Sequence, residues 1–110
     1  RTSTSCRVPR SHPVAAAAVM RAAFLCGVSP HCSEAVQVVH YERGQRYDVH
    51  NDWFQPGTPY YHDRVWQRII SFFCYLSEVP EGQGGCTFFP ELDLRFRPSK
   101  GSAALWYNQV

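Results

Sequence analysis

A change of texture at Glu34 limits the fold of this chain more than any other feature. Before it, Val14 to Leu25 is an alanine-rich run, which favours helix because alanine loses no side-chain freedom there. Ser11 is the expected N-cap, Pro13 falls in the first turn and Gly27 is placed to stop the run, which predicts a helix over about 12–26. Beyond Glu34, β-branched and aromatic residues are broken by turn signals at Gly44, Pro56-Gly57, Pro80 to Gly85 and Ser99-Lys100-Gly101. This punctuation predicts a β core over about 35–108. The expected fold class is mainly β with one flanking helix packed on the outside of a sheet. Its core would be a double-stranded β-helix of jelly-roll, cupin-like type, which protects the edges of short strands. Ile69 to Leu76 is apolar on both faces, as expected of a strand covered on both sides, with Cys74 a small core residue.

A chain of 110 residues that is 45% hydrophobic can bury one core, so residues 1–110 are expected to form a single domain. The net charge of +2 is small. Ten of the eleven basic residues are arginines spread along the chain, without the basic face that nucleic acid requires, so nucleic acid is excluded as a partner. No run is long enough for a membrane segment, since the stretch from Val14 stops at Arg21. No signal peptide is present, and the chain begins with arginine, which is compatible with a leader or anchor upstream. Five cysteines lack a Cys-x-x-Cys motif and leave the compartment open; a Cys26–Cys32 disulfide and a zinc site using His31 are alternatives.

His50-Asn51-Asp52 carries the chemistry. In a strand over 46–54, alternate side chains share a face, so His50 and Asp52 would point the same way. An imidazole and a carboxylate on one side of a metal are two-thirds of the facial triad that non-haem Fe(II) oxygenases use, with positions left open for cosubstrate and dioxygen. Any strand can carry this pair by chance, so its surroundings decide.

Those surroundings are specific. Val36 to Phe54, with Tyr41-Glu-Arg-Gly-Gln-Arg-Tyr47 before the His-x-Asp, and Gln67 to Val79 closely resemble the catalytic domain of prolyl 4-hydroxylases. Gly84-Gly-Cys-Thr-Phe-Phe-Pro90 is similar to that family's Gly-Gly-x-Thr-x-Phe-Pro segment. Phe96 to Asn108 resembles its closing strand, and Arg1-Thr-Ser3 the strand that opens the domain. The resemblance covers nearly the whole chain, in order.

It implies an Fe(II)- and 2-oxoglutarate-dependent dioxygenase that uses O2 to convert peptidyl proline to 4-hydroxyproline, giving succinate and carbon dioxide, with ascorbate as reductant. His50 and Asp52 match the first two iron ligands. Tyr41 and Thr87 match hydroxyl-bearing positions beside 2-oxoglutarate. Tyr47, Arg68, Arg1 and Ser3 match positions that line the groove for a proline-rich or collagen-like peptide. The segment 53–66, too irregular for a strand and rich in aromatics, matches a lid over that groove. The family also favours the endoplasmic reticulum and secretory pathway, and leaves the oligomeric state open.

The departures are equally definite. The family's third ligand, a histidine, and a later lysine or arginine for the distal carboxylate of 2-oxoglutarate lie beyond the position of Val110. His12, His31, His40 and His62 are not convincing substitutes, and Lys100 falls in a predicted turn. The reading is therefore of a partial domain, inactive by itself. A catalytically degenerate module that binds proline-rich peptides, and a 2-oxoglutarate oxygenase with another substrate, remain as alternatives.

Overall fold

A computed structural model describes residues 1–59, 61 and 66–109. They form two compact units, Arg1–Val49 and His50–Val110.

The first unit contains β1 (Thr4–Val8), α1 (Pro13–Cys26), a 3-10 turn (Pro30–Cys32) and β2 (Val36–His40). β1 and β2 pair antiparallel, with Thr4 opposite His40 and Val8 opposite Val36. The opening strand thus begins at Thr4, and Arg1 to Ser3 precede it. α1 occupies the predicted span, but its N-cap is His12 and not Ser11. Proline fits best at the first helical position, where its missing N–H is no loss, and it forces the residue before it into extended backbone. His12 has that backbone, at φ −68° and ψ 128°, and its carbonyl accepts from the Ala16 N–H at 2.8 Å. At the other end Gly27 is left-handed at φ +67°. Its N–H reaches the Phe24 carbonyl at 3.2 Å and the Val28 N–H reaches Ala23 at 3.0 Å, the paired bonds of a Schellman stop.

Ala15, Val19 and Ala23, one turn apart, form the helix's buried stripe. Met20, Arg21, Phe24 and Leu25 line a shallow hollow of about 390 Å³ on its open side. Arg10 donates to the carbonyls of His31 and Ser33 at 3.3 and 3.0 Å, which fastens the segment before α1 to the 3-10 turn.

The second unit contains β3 (Ile70–Cys74), β4 (Thr87–Phe89), a 3-10 turn (Pro90–Leu92), β5 (Leu94–Phe96) and β6 (Ala103–Tyr107). β3 pairs antiparallel with β6, and β4 with β5. Phe89 joins the two ladders, with its ring edge-on to Phe96 of β5 at 5.9 Å and to Trp106 of β6 at 5.2 Å. Phe54, Tyr75, Pro98 and Ala104 are buried.

The architecture is mainly β with one helix, as expected. The strands form two-stranded ladders, and no closed jelly roll is seen among the described residues. β3 is not covered on both faces: Phe73 and Cys74 are exposed, as are the flanking Ile69 and Leu76. By strand alternation these exposed residues fall on both faces of the two-stranded ladder, so the expected core position of Cys74 is corrected. Its thiol is nonetheless sheltered enough that desolvation pushes its pKa up. Cys26 and Cys32 are free thiols, and no cluster of three metal-ligating side chains occurs among the described residues. No described helix is long and apolar enough to cross a membrane.

Candidate functional site

Residues 46–54 do not form the expected strand. The chain bends at Val49 and again at Asp52-Trp53. His50 and Asp52 still meet, with Nε2 of the imidazole 3.1 Å from Oδ1 of the carboxylate. Their convergence comes from a bent segment and not from strand alternation. His50 is exposed and Asp52 half-buried, so a solvated ion could reach both.

The other oxygen of Asp52 is taken. Ser71, on β3, donates its hydroxyl to Oδ2 at 2.5 Å, the short distance of a charge-assisted bond. The Asn108 amide, just past β6, donates to Ser71 Oγ at 3.1 Å and to the Arg68 carbonyl at 3.1 Å. Asn108 is itself anchored by its N–H on the Ile69 carbonyl at 2.8 Å. Neither Ser71 nor Asn108 stood out in the sequence as a site residue. The available signal was a hydroxyl interrupting the apolar run from Ile69.

The backbone just after Asp52 is clamped by Gln67. Its Oε1 accepts from the N–H groups of Phe54 and Arg68 at 2.6 and 3.0 Å, and its Nε2 donates to the Phe54 carbonyl at 2.9 Å. Side-chain amide and backbone amide thus pair as two strands would. The Arg68 guanidinium lies over the Phe54 ring at 4.6 Å, and Trp66 packs edge-on to the same ring at 5.5 Å. The segment expected as a lid is irregular where it is described, with a turn at Gly57. Tyr60 and His62 to Val65 lie outside the described residues.

Thr87 opens β4 and is half-buried. Its Oγ1 accepts the hydroxyl proton of buried Tyr75 at 2.7 Å. The Thr87 proton is then available to another acceptor, such as a carboxylate oxygen. Tyr75 is a second residue that sequence reasoning did not single out.

In the first unit, Arg1, Ser3 and Tyr47 come together. Arg1 Nε donates to Ser3 Oγ at 2.6 Å, and its guanidinium lies over the Tyr47 ring at 5.4 Å. Tyr41 follows the end of β2 and is exposed. Lys100 lies in the predicted turn, where its N–H bonds to the Glu78 carboxylate at 2.9 Å.

The donor set at His50 and Asp52 fits a divalent first-row metal. One nitrogen and one carboxylate oxygen already converge, and the second carboxylate oxygen is occupied by a hydrogen-bond donor, as oriented metal ligands generally are. The pair supplies two ligands, and a mononuclear facial site needs one more.

Comparison with known proteins identifies the family of the chain. Residues 36–110 match the family model described as the 2OG-Fe(II) oxygenase superfamily. The chain is 33% identical over 99 residues to prolyl 4-hydroxylase subunit alpha-1 of Homo sapiens, covering 88% of this chain and 18% of that protein. The rat (Rattus norvegicus) subunit alpha-1 is 34% identical over 98 residues, 87% of this chain and 18% of that protein. A probable prolyl 4-hydroxylase 3 of Arabidopsis thaliana is 38% identical over 77 residues, 70% of this chain and 24% of that protein. The chain thus spans about a fifth of the length of the alpha-1 subunits. No solved structure gives a significant match.

Proposed function

The chain belongs to the 2OG-Fe(II) oxygenase superfamily, and we propose that the protein carrying it hydroxylates peptidyl proline at C4. The observation that carries this reading is the approach of His50 Nε2 to Asp52 Oδ1 at 3.1 Å, inside the segment matched by the family model. The prolyl 4-hydroxylase relatives support the choice of substrate.

On this reading residues 1–110 are one partial oxygenase domain whose strands belong to a jelly-roll core. His50 and Asp52 would hold Fe(II), with a third histidine from beyond the position of Val110. Oxidation of a C–H bond by dioxygen, coupled to oxidative decarboxylation of 2-oxoglutarate to succinate and carbon dioxide so that one oxygen atom enters each product, is the chemistry that the iron would supply when bound, with ascorbate as the reductant that keeps it Fe(II).

The chain's own groups do the binding and orienting. Asp52 brings a negative charge that offsets part of the ion's, and His50 a nitrogen lone pair. Each donates to a metal through a lone pair of its deprotonated form. Thr87, its oxygen already accepting from Tyr75, is left to donate to a 2-oxoglutarate carboxylate, with Tyr41 as the second hydroxyl. Arg1, Ser3, Tyr47 and Arg68 contribute to the peptide groove. Aromatic rings and stacked guanidinium groups suit an extended proline-rich peptide. The lid assigned to 53–66 would exclude water. A secretory-pathway location is proposed with the substrate.

The test is to incubate the full-length protein with Fe(II), 2-oxoglutarate, ascorbate and a proline-rich peptide, following succinate and peptide mass. The expected result is succinate together with the gain of one oxygen on proline, both abolished in His50→Ala. Succinate without proline oxidation would redirect the substrate assignment. Peptide binding without succinate would identify a non-catalytic module.

A further inference from the structure

We propose that Ser71 and Asn108 are positioning residues that make Asp52 offer a metal ion one oxygen only. The proposal rests on the reading of His50 and Asp52 as metal ligands and adds what determines the geometry of that pair.

A carboxylate has two equivalent oxygens and can rotate, so a free Asp52 could bind a metal through either or both. Two-oxygen binding would occupy a position that cosubstrate or dioxygen needs. Here the oxygens are made different. Oδ1 faces His50 Nε2 at 3.1 Å, while Oδ2 receives the Ser71 hydroxyl at 2.5 Å. Ser71 Oγ accepts from Asn108 Nδ2 at 3.1 Å, and its own proton goes to Asp52 Oδ2, which is charged and much nearer than its other acceptor, Asn108 Oδ1 at 3.4 Å.

The Asn108 amide has little freedom to reverse this polarity. Its Nδ2 also donates to the Arg68 carbonyl at 3.1 Å, and a flipped amide would set oxygen against oxygen at that point. The ladder fixes the arrangement. Ser71 stands opposite Trp106 in the β3–β6 register, which makes Asn108, two residues on, its diagonal neighbour on the same face. Direction therefore runs from Arg68 and Asn108 through Ser71 to Asp52, joining residues 37 and 19 positions apart.

The test uses Mn(II) titration of the full-length protein by calorimetry, without cosubstrate, so that turnover is not the readout. Removing a partner that orients a ligand weakens metal binding on the order of 10- to 100-fold, the loss expected for Ser71→Ala. Ser71→Thr keeps the hydroxyl and should restore most of it. Asn108→Ala should also weaken binding. The double variant should be no weaker than Ser71→Ala alone, because Asn108 acts through Ser71. The visible absorption of Co(II)-loaded protein, which reports donor number and geometry, should change in Ser71→Ala and not in Ser71→Thr.

Equal losses in the Ala and Thr variants, or additive losses in the double variant, overturn the proposal. His50→Ala in the same titration separates the two layers. Unchanged Mn(II) binding there defeats the metal reading itself. Lost binding in His50→Ala with wild-type affinity in Ser71→Ala defeats only the positioning role. Where Ser71→Ala fails to fold, Ser71→Cys, similar in size with a weak S–H donor, takes its place and should fall between serine and alanine.

Discussion

Gln67→Ala removes three hydrogen bonds at once, all to backbone beside the candidate site. A net bond contributes about 0.5–1.5 kcal/mol, and a buried group left without a partner costs more than the bond's net value. Phe54 is buried, so its N–H and carbonyl lose partners that water replaces poorly. Gln67 is only half-buried, so some water can enter. Together these give about 1.5–3 kcal/mol of local destabilisation. That corresponds to roughly 10- to 100-fold faster amide exchange at Phe54, since about 1.4 kcal/mol is a factor of ten. Hydrogen exchange read by mass spectrometry on peptides covering Trp53 to Gln55 measures it, with β3 peptides as the internal reference. Gln67→Glu keeps the acceptor for both N–H groups but sets a carboxylate against the Phe54 carbonyl, so it should fall between wild type and alanine. Unchanged exchange at Phe54 would refute the clamp. An equal rise across Ile70 to Cys74 would show global loosening instead.

Other outcomes follow from single contacts. Tyr75→Phe deletes the hydroxyl that Thr87 accepts at 2.7 Å; stability should fall by about 1 kcal/mol, and the KM for 2-oxoglutarate should rise while Mn(II) affinity stays unchanged. Gly27→Ala places a side chain at φ +67° in open space, so only the left-handed backbone is penalised. Denaturant unfolding should show a loss of about 1–2 kcal/mol, with Gly27→Asn milder. Burial raises the Cys74 pKa, so at a mildly alkaline pH less of it is thiolate, the reactive form. Timed iodoacetamide labelling with peptide mass spectrometry should find it slower than Cys6, Cys32 and Cys86.

The turns were legible because their residues dictate backbone. Gly44, Gly57 and Gly101 all adopt positive φ, at +83°, +84° and +86°, a region that glycine enters without penalty. β3 was legible from its apolar run. Its exposure was not, because texture shows what could be covered and not what covers it. The helix N-cap was misplaced by one residue, since cap preference favoured Ser11 while the geometry of Pro13 selected His12. His50 and Asp52 were legible by type and spacing, but the strand meant to align them is absent. Ser71, Asn108 and Gln67 escaped notice because each acts on a residue far off in sequence, 19, 37 and 13 positions away. No local pattern encodes such pairings.

That difference bears on how the site keeps its shape. A strand would hold His50 and Asp52 through ladder bonds on neighbouring backbone, and any single side chain would matter little. Here the segment from His50 to Phe54 bends, and side-chain bonds take over work that a ladder does elsewhere. Ser71 fixes the Asp52 carboxylate, and Gln67 fixes the backbone two residues later. Both come from the same stretch, Gln67 leading into β3 and Ser71 within it. The candidate ligands are thus oriented by a strand to which they do not belong. Metal affinity should therefore follow substitutions at Gln67 and Ser71 more closely than it follows overall stability. Gly27→Ala supplies the contrast. It lowers stability through a helix stop in the first unit, and it should leave Mn(II) affinity where it was.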